Sequence, residues 1–409
     1  MLVVPLQRRT VRVLVVTQLL GGVGLAAGVA VGALLAQDLL DGDALTGLPS
    51  AAATAGGAVA AVPISRLMAR SGRRPGLAAG YLTGAAGVLV VLASAQVGSF
   101  GLLVAGMALF GAGNTASLLA RYAAADLAEP ARRGRALSTV LFATTFGAVA
   151  GPNLVEPAGG LARVVSLPEL AGPFLLSVAA YGLAAAVVSV LLRPDPLLAA
   201  RAAAPPEPPA PAGSTGSAWA QVLRGPALAG LAAMVGAQFV MVAMMTMTPV
   251  HMLEHDHTLA VIGFVISAHI AGMYVFSPLG GLLCDRLGAP GTIRLGACTL
   301  LAAGLCGALA RPASVAALTA ALFLLGLGWS LSLVGGSTLL TAAVPLPQRA
   351  RAQGNADLLV GLAGATGGLG SGLVLALSGF TVLGLLTAVV AAGLLGAAAR
   401  RAHPAAPAR

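Results

Sequence analysis

Two pairs of soft side chains stand at helical spacing in the C-terminal part of the chain. They are Met241-x-x-x-Met245 and His269-x-x-x-Met273. Residues four apart lie on one face of an α-helix, so each pair presents both side chains in one direction. Thioether and imidazole groups together favour Cu(I), a soft ion. These four residues form a candidate metal site for copper, and the alternative interpretation is that the methionines fill gaps between packed helices.

Two glutamines within apolar stretches are candidates for binding an organic solute. Gln18 lies in the first such stretch and Gln238 in the seventh. An amide both donates and accepts hydrogen bonds, and polar groups inside membrane helices commonly mark a substrate pathway. The alternative is that both glutamines form hydrogen bonds between helices.

Other ionisable groups allow two further interpretations. Residues 251–257 form a loop with three histidines, which either captures metal at the mouth of a pathway or is an ordinary solvated loop. We favour the solvated loop. Asp357 lies near the start of an apolar stretch, and we expect it to pair with Arg349 or Arg351.

The elements that position these side chains are membrane-spanning helices. The chain of 409 residues is 58% hydrophobic and 9% charged, well below the charge of a soluble domain. About 20 apolar residues are needed for each helical crossing, and such stretches recur along the chain. We predict an all-α membrane protein whose twelve spans lie at about 11–36, 44–67, 76–95, 100–120, 136–155, 170–192, 225–250, 259–283, 291–310, 313–338, 353–378 and 380–399.

The arginines give these spans an orientation. All 23 basic residues are Arg, and 21 of them fall on one predicted side of the membrane, against 2 on the other. The positive-inside rule then predicts a multi-pass protein of the inner or plasma membrane with both termini in the cytoplasm. Because basic residues are spread between spans, the net charge of +10 does not indicate a nucleic-acid partner. Without lysine a nucleotide-binding P-loop is impossible. No Ser/His/Asp arrangement rises above chance spacing, and we expect neither an enzyme nor a cofactor.

A repeat divides the chain into two similar parts. Arg70-Ser71-Gly72 corresponds to Arg286-Leu287-Gly288, and the same offset of 216 relates Arg133 to Arg349. We therefore predict a six-helix half at 1–193, a cytoplasmic linker at 194–224 whose stretch 194–217, rich in Pro and Ala, is irregular, and a second half at 225–409. Parallel six-helix repeats are typical of secondary transporters, whose substrate site lies near the midplane between the halves.

The repeated segment resembles the gating loop of the major facilitator superfamily, Gly-x-Leu-x-Asp-Arg-x-Gly. The later copy is intact, whereas the earlier copy keeps Arg70 and Gly72 but has Ser65 for the Gly and Ala69 for the Asp. This departure puts the gating role of the earlier loop in question. The intact copy consists of Gly281, Leu283, Asp285, Arg286 and Gly288.

A narrower resemblance concerns the metal candidates. The CcoA-like copper importers of that superfamily carry Met-x-x-x-Met in helix seven and His-x-x-x-Met in helix eight, which implies copper ligands at the four positions named above. Related members are implied to carry riboflavin or other organic solutes. We thus expect a monomeric secondary transporter of copper or of an organic solute. The rival interpretation is a non-transporting membrane sensor or assembly partner.

Overall fold

α-Helices carry nearly all of the chain that the structure describes, which is a computed structural model covering residues 3–40, 45, 47–164, 167–204, 217–311 and 313–400. No strand occurs in these ranges, so the all-α prediction is confirmed. The helices are α1 (Val3–Leu40), α2 (Leu48–Ser71), α3 (Arg73–Val97), α4 (Phe100–Ala125), α5 (Arg133–Asn153), α6 (Val155–Val164), α7 (Gly172–Leu191), α8 (Pro196–Ala203), α9 (Ala218–Val222), α10 (Gly225–Leu253), α11 (Leu259–Ile270), α12 (Ser277–Leu309), α13 (Val315–Ala343) and α14 (Leu346–Arg400).

The long helices account for the twelve predicted spans. Among the described residues, eight helical stretches are long and apolar enough to cross a membrane, and Ala260–Leu309 and Leu346–Ala397, at 50 and 52 residues, are each long enough for two crossings. The two breaks occur at Gly288 and Gly379, where positive φ angles of 74° and 80° bend α12 and α14. Helices α1 and α5 lie at the positions of the remaining two predicted spans. A single π-helical turn at Ala271–Val275 joins α11 to α12.

The chain forms two compact units. The first contains Met1–Glu129, Thr139–Trp219 and Pro345–Gly361, and the second contains Pro130–Ser138, Ala220–Val344 and Leu362–Arg409. The start of α14 therefore packs within the first unit, and the start of α5 packs within the second. These two short segments correspond through the offset of 216, since 130 + 216 = 346 and 138 + 216 = 354.

Small residues allow close helix packing inside each unit. In the first unit, a Cβ at Gly113 of α4 would lie 2.5 Å from the ring of Tyr181 on α7. Tyr181 also packs against Phe110, with ring centroids 5.5 Å apart. In the second unit, a Cβ at Gly272 would lie 2.5 Å from the carbonyl oxygen of Phe323 on α13. Since lipid supplies no hydrophobic drive between helices, such close approach is a main source of packing energy.

Part of the predicted linker is helical. Helix α8 lies within the stretch 194–217 that we expected to be irregular, α9 follows that stretch, and residues 205–216 lie outside the described ranges. The Asp195 carboxylate caps α8 by accepting hydrogen bonds from Leu197 N (3.0 Å) and Leu198 N (3.2 Å), which satisfies amides left free at a helix start. The Pro- and Ala-rich composition did not predict this helix, whose contacts with α2 and α3 come from residues far away in the sequence.

Candidate functional site

Two corners, one in each unit, carry the repeated loop. The α2–α3 corner comprises residues 65–74, and the α12 corner comprises residues 281–290. Gly72 has φ 97° and ψ 173°, and Gly288 has φ 74° and ψ 163°, so the backbone makes the same turn in both. Side chains with a Cβ rarely adopt these angles, which explains why glycine occupies both positions.

In the α12 corner, Asp285 holds the start of α5. Its Oδ1 accepts a hydrogen bond from Gly134 N at 3.1 Å, and its Oδ2 lies 3.2 Å from Arg135 Nε. Gly281 lies against Ser138, and a Cβ at Gly281 would be 2.8 Å from the Ser138 Cβ. The structure therefore brings Gly281, Asp285 and Gly288 into one corner. Arg286 belongs to the same corner and is exposed.

In the α2–α3 corner, the glycine of the contact lies on the facing helix instead of on the corner itself. A Cβ at Gly354 of α14 would collide with the Ser65 hydroxyl. The pair Ser65 and Gly354 corresponds to the pair Gly281 and Ser138, because both offsets equal 216. The Ser that departs from the family pattern is thus accommodated by a glycine where the other corner has a serine.

Arg73 forms the centre of a buried network in the first unit that sequence reasoning missed. Its side chain is fully buried and donates to Asp126 through Nε at 2.7 Å and Nη2 at 3.1 Å. Nη2 also donates to Gln353 Oε1 at 2.6 Å, which ties α3 to the start of α14. Arg70, the neighbour that the resemblance singled out, is exposed.

Asp357 pairs with Arg121, which corrects the expected pairing with Arg349 or Arg351. Arg121 Nη2 donates to Asp357 Oδ1 at 2.7 Å, and the side chains are 1% and 6% exposed. The Tyr122 hydroxyl donates to the same carboxylate oxygen at 3.2 Å. The expectation failed because residues six or eight positions away are about 9 or 12 Å along a helix, too far for a local pair.

An amide and two aromatic rings meet inside the second unit. Trp329 Nε1 on α13 donates to Gln238 Oε1 on α10 at 2.7 Å. Tyr274 lies edge-on to Trp329, with centroids 6.0 Å apart and an interplanar angle of 79°. Gly364 of α14 lies on the other side of the amide, where a Cβ would be 3.1 Å from Gln238 Nε2. Only Gln238 of this cluster was a sequence candidate.

Gln18 lies in the first unit and is 2% exposed. Its Nε2 donates to Thr144 Oγ1 on α5 at 2.8 Å. Its buried Oε1 has no hydrogen-bond partner among the described residues. The NH2 group of this amide therefore forms a hydrogen bond between helices, as in the alternative interpretation. The amide oxygen has no such role.

His269 packs tightly between α11 and α13. The imidazole is completely buried, and its Nδ1 lies 2.8 Å from the Leu322 carbonyl oxygen. A carbonyl can only accept, so Nδ1 carries the proton and Nε2 presents a lone pair. That Nε2 is buried with no hydrogen-bond partner in the part of the chain that the structure describes.

Some of the methionines pack against a neighbouring helix, whereas for the others only their burial is described. Met234 Sδ accepts from Ser337 Oγ at 3.3 Å, and the Met244 methyl packs against Gly307. Met241 and Met273 are buried and Met245 is half-buried. Helices α10 and α11 touch, but no hydrogen bond or ring contact among the described residues joins the methionine pair of α10 to His269.

The histidine loop shows no metal cluster. His251 stacks on Phe380 with centroids 4.4 Å apart, and it also contacts the ring of His255. No group of three or more His, Cys, Asp or Glu residues within the described ranges is arranged to hold a metal ion.

The chain resembles known proteins in sequence and in fold. The sequence model of the Major Facilitator Superfamily matches residues 13–260 and 244–409. The chain is 44% identical over 386 residues to the uncharacterized MFS-type transporter YdeG of Bacillus subtilis, covering 94% of this chain and 90% of that protein. It is 29% identical over 358 residues to the riboflavin transporter RfnT of Brucella anthropi, covering 86% and 85%.

Solved structures share the fold at low sequence identity. The fucose:proton symporter FucP of E. coli superposes with a TM-score of 0.71 at 15% identity, covering 96% of this chain and 98% of that one. With a family match over nearly the whole sequence and a close relative of almost the same length, this multi-pass membrane protein belongs to the Major Facilitator Superfamily of transporters.

Proposed function

We propose that this protein is a secondary active transporter of the cell membrane that carries a small, flat organic solute by alternating access. It acts as a monomer with both termini in the cytoplasm. The observation that carries the proposal is the cluster of Gln238, Trp329 and Tyr274.

The cluster has the chemistry of an organic-solute site. Trp329 donates a hydrogen bond to the amide oxygen of Gln238 and so fixes the orientation of the amide. The NH2 group of the amide is then the donor proposed for a ligand. Tyr274 braces the indole edge-on, and aromatic faces and edges are well suited to flat heteroaromatic rings. Pockets that combine aromatic walls with a few placed polar groups are typical of small-molecule sites.

The relative from Brucella anthropi supports the same cargo class. It is named a riboflavin transporter, and riboflavin contains a flat ring system with several hydrogen-bonding groups. Gln18 is a further candidate ligand in the first unit, because its buried Oε1 is an acceptor without a partner there.

A fluorescence titration tests binding at the cluster. The chain has two tryptophans, so Trp219→Phe leaves Trp329 as the single reporter. We expect riboflavin, or another member of a panel of flat solutes, to quench Trp329 with saturation. The matched control is Trp329→Phe, which retains the exposed Trp219 and should show only unsaturated collisional quenching.

Uptake into proteoliposomes, with and without a proton gradient, tests transport itself. Gln238→Ala should lower uptake of the quenching solute about tenfold, since it removes a placed hydrogen bond and leaves the indole N–H unpaired. Saturable quenching with no uptake under any gradient would favour the sensor hypothesis. If no solute quenches Trp329 or enters the vesicles, the organic-solute proposal is wrong.

Copper import is the second candidate, and it rests on one observation. The buried Nε2 of His269 has the lone pair and the isolation that a Cu(I) ligand needs. Met241, Met245 and Met273 are its proposed co-ligands. The compared relatives give copper no support. Equal uptake of radioactive copper by cells with wild type, His269→Ala, Met241→Ala or no transporter would eliminate this candidate.

The orientation is tested separately. A reporter fused after Arg201 should score cytoplasmic, because the positive-inside rule places the linker there. A periplasmic score would reverse the proposed topology while leaving the cargo proposals intact.

A further inference from the structure

The α2–α3 corner lacks the carboxylate that its counterpart uses. Ala69 corresponds to Asp285 through the offset of 216. In the α12 corner, Asp285 fastens the corner to the start of α5 through Gly134 N and Arg135. An alanine side chain cannot accept a hydrogen bond, so position 69 cannot fasten the α2–α3 corner to the start of α14 as Asp285 fastens its own corner. The bond from Arg73 to Gln353 is one link between this corner and α14, and a second link stands beside Ala69.

Arg201 of the linker helix α8 lies at this position. Its Nη1 donates to the Ala69 carbonyl oxygen at 3.0 Å. Its Nη2 reaches the Pro347 carbonyl oxygen, in the first turn of α14, at 3.5 Å. The rigid fork of a guanidinium can bond two acceptors at once, so one side chain links the corner to α14.

Helix α8 is held in place independently of Arg201. Asp195 caps α8 and at the same time accepts from Arg74 N at 2.7 Å, which joins the linker to the start of α3. The corner is shaped for this contact, because a Cβ at Gly72 would collide with the Asp195 carboxylate. The linker therefore delivers Arg201 to the corner from an anchored helix.

We propose that Arg201 is a positioning residue of the transport cycle that replaces the missing corner carboxylate and fastens the α2–α3 corner to α14. The polarity of the link is reversed. In the α12 corner an anion accepts from the facing helix, whereas in the α2–α3 corner a cation donates to carbonyl groups on both sides. The linker is then part of the gate, and its displacement loosens the start of α14 by removing one of its links to the corner. The inference rests on the transporter function proposed above, but it does not depend on the cargo.

Hydrogen–deuterium exchange on the full-length protein in lipid nanodiscs tests the inference without a substrate. Arg201→Ala should raise exchange about tenfold in peptides covering residues 66–76 and 344–357, the change expected when a hydrogen-bonded link from a charged donor is lost. The matched control is Arg224→Ala, an exposed arginine in the same linker, which should exchange like wild type.

The decisive experiment restores a carboxylate at position 69. Adding Ala69→Asp to Arg201→Ala should return exchange at both peptides to within about twofold of wild type, since an aspartate there can accept from the start of α14. A residue with a merely structural role would not be rescued in this way. Arg201→Lys keeps the charge without the fork and should give an intermediate rise, even if the alanine variant fails to fold.

Three results would overturn the inference. The first is that Arg201→Ala exchanges like wild type at both peptides. The second is that its exchange rises equally in peptides of α13, and the third is that adding Ala69→Asp does not lower the exchange again. None of them bears on riboflavin or copper uptake, so a failure here is distinguishable from a failure of the proposed cargo.

Discussion

Removal of the Asp357 carboxylate should strongly destabilise the protein. The partner guanidinium of Arg121 is 1% exposed and bonds Asp357 at 2.7 Å, so Asp357→Leu leaves an uncompensated charge away from water. Breaking one side of such a pair costs about 3–5 kcal/mol. For a unit of roughly 200 residues, about 2–4 °C per kcal/mol gives a fall in the unfolding temperature of about 6–20 °C.

The assay is thermal unfolding of the purified protein in detergent, with a double-mutant cycle. Arg121→Met combined with Asp357→Leu removes both charges, and well-packed apolar replacements of buried pairs are often neutral. The double variant should recover at least half of the lost stability. Recovery stays incomplete because the Tyr122 hydroxyl, which donates to Asp357, loses its acceptor.

An exposed ion pair of similar length serves as the control. Arg163 and Glu169 lie 2.9 Å apart but are 68% and 62% exposed, so Glu169→Gln should cost less than about 1 kcal/mol. The reasoning is refuted if Asp357→Leu costs no more than Glu169→Gln. It is also refuted if the double variant is no more stable than Asp357→Leu alone.

Three further predictions follow from the corners. In a background whose other cysteines are serine, Asp285→Asn should raise maleimide labelling of the buried Cys284 about tenfold as the start of α5 loosens, and unchanged labelling would contradict the role of Asp285. Gly354→Ala should lower the free energy of unfolding by about 1–3 kcal/mol, because the new Cβ collides with Ser65. The exchanged pair, Ser65→Gly with Gly354→Ser, should have a free energy of unfolding within about 1 kcal/mol of wild type. An equal loss of stability in both variants would disprove the packing argument. Gly72→Ala should lower the unfolding free energy by about 1–3 kcal/mol because a Cβ is strained at φ 97°, and chemical denaturation showing no loss would contradict it.

The spans were predictable because each depends on a local run of apolar residues that must satisfy its own backbone in lipid. The two corners were predictable for a different reason, since a repeated sequence signals a repeated turn at Gly72 and Gly288. Neither inference needs to know which helices become neighbours.

The polar networks could not be predicted in the same way. Arg73 bonds Gln353 across 280 positions, and Arg121 bonds Asp357 across 236, so no local spacing reveals either contact. The offset of 216 did contain one usable signal. It pairs Ser65 with Gly281 and Ser138 with Gly354, and the exchanged side-chain sizes indicate a shared contact.

The candidate site could be predicted from the sequence only in part. Gln238 was identified because a polar residue is conspicuous in an apolar span, whereas Trp329 and Tyr274 are apolar enough to be inconspicuous there. Their contribution depends on how α10, α13 and the π-helical turn pack together. Sequence periodicity along one helix carries no information about that arrangement.

The packing of Pro345–Gly361 into the first unit has a consequence for biosynthesis. Arg121 leaves the ribosome 236 residues before Asp357 does. At about 5–20 residues per second, the nascent chain carries that arginine without its counter-charge for roughly 12–47 s. A product truncated before residue 345 never receives the carboxylate at all. Such a fragment would hold the Arg121 guanidinium among apolar helices without the carboxylate that neutralises it in the full chain.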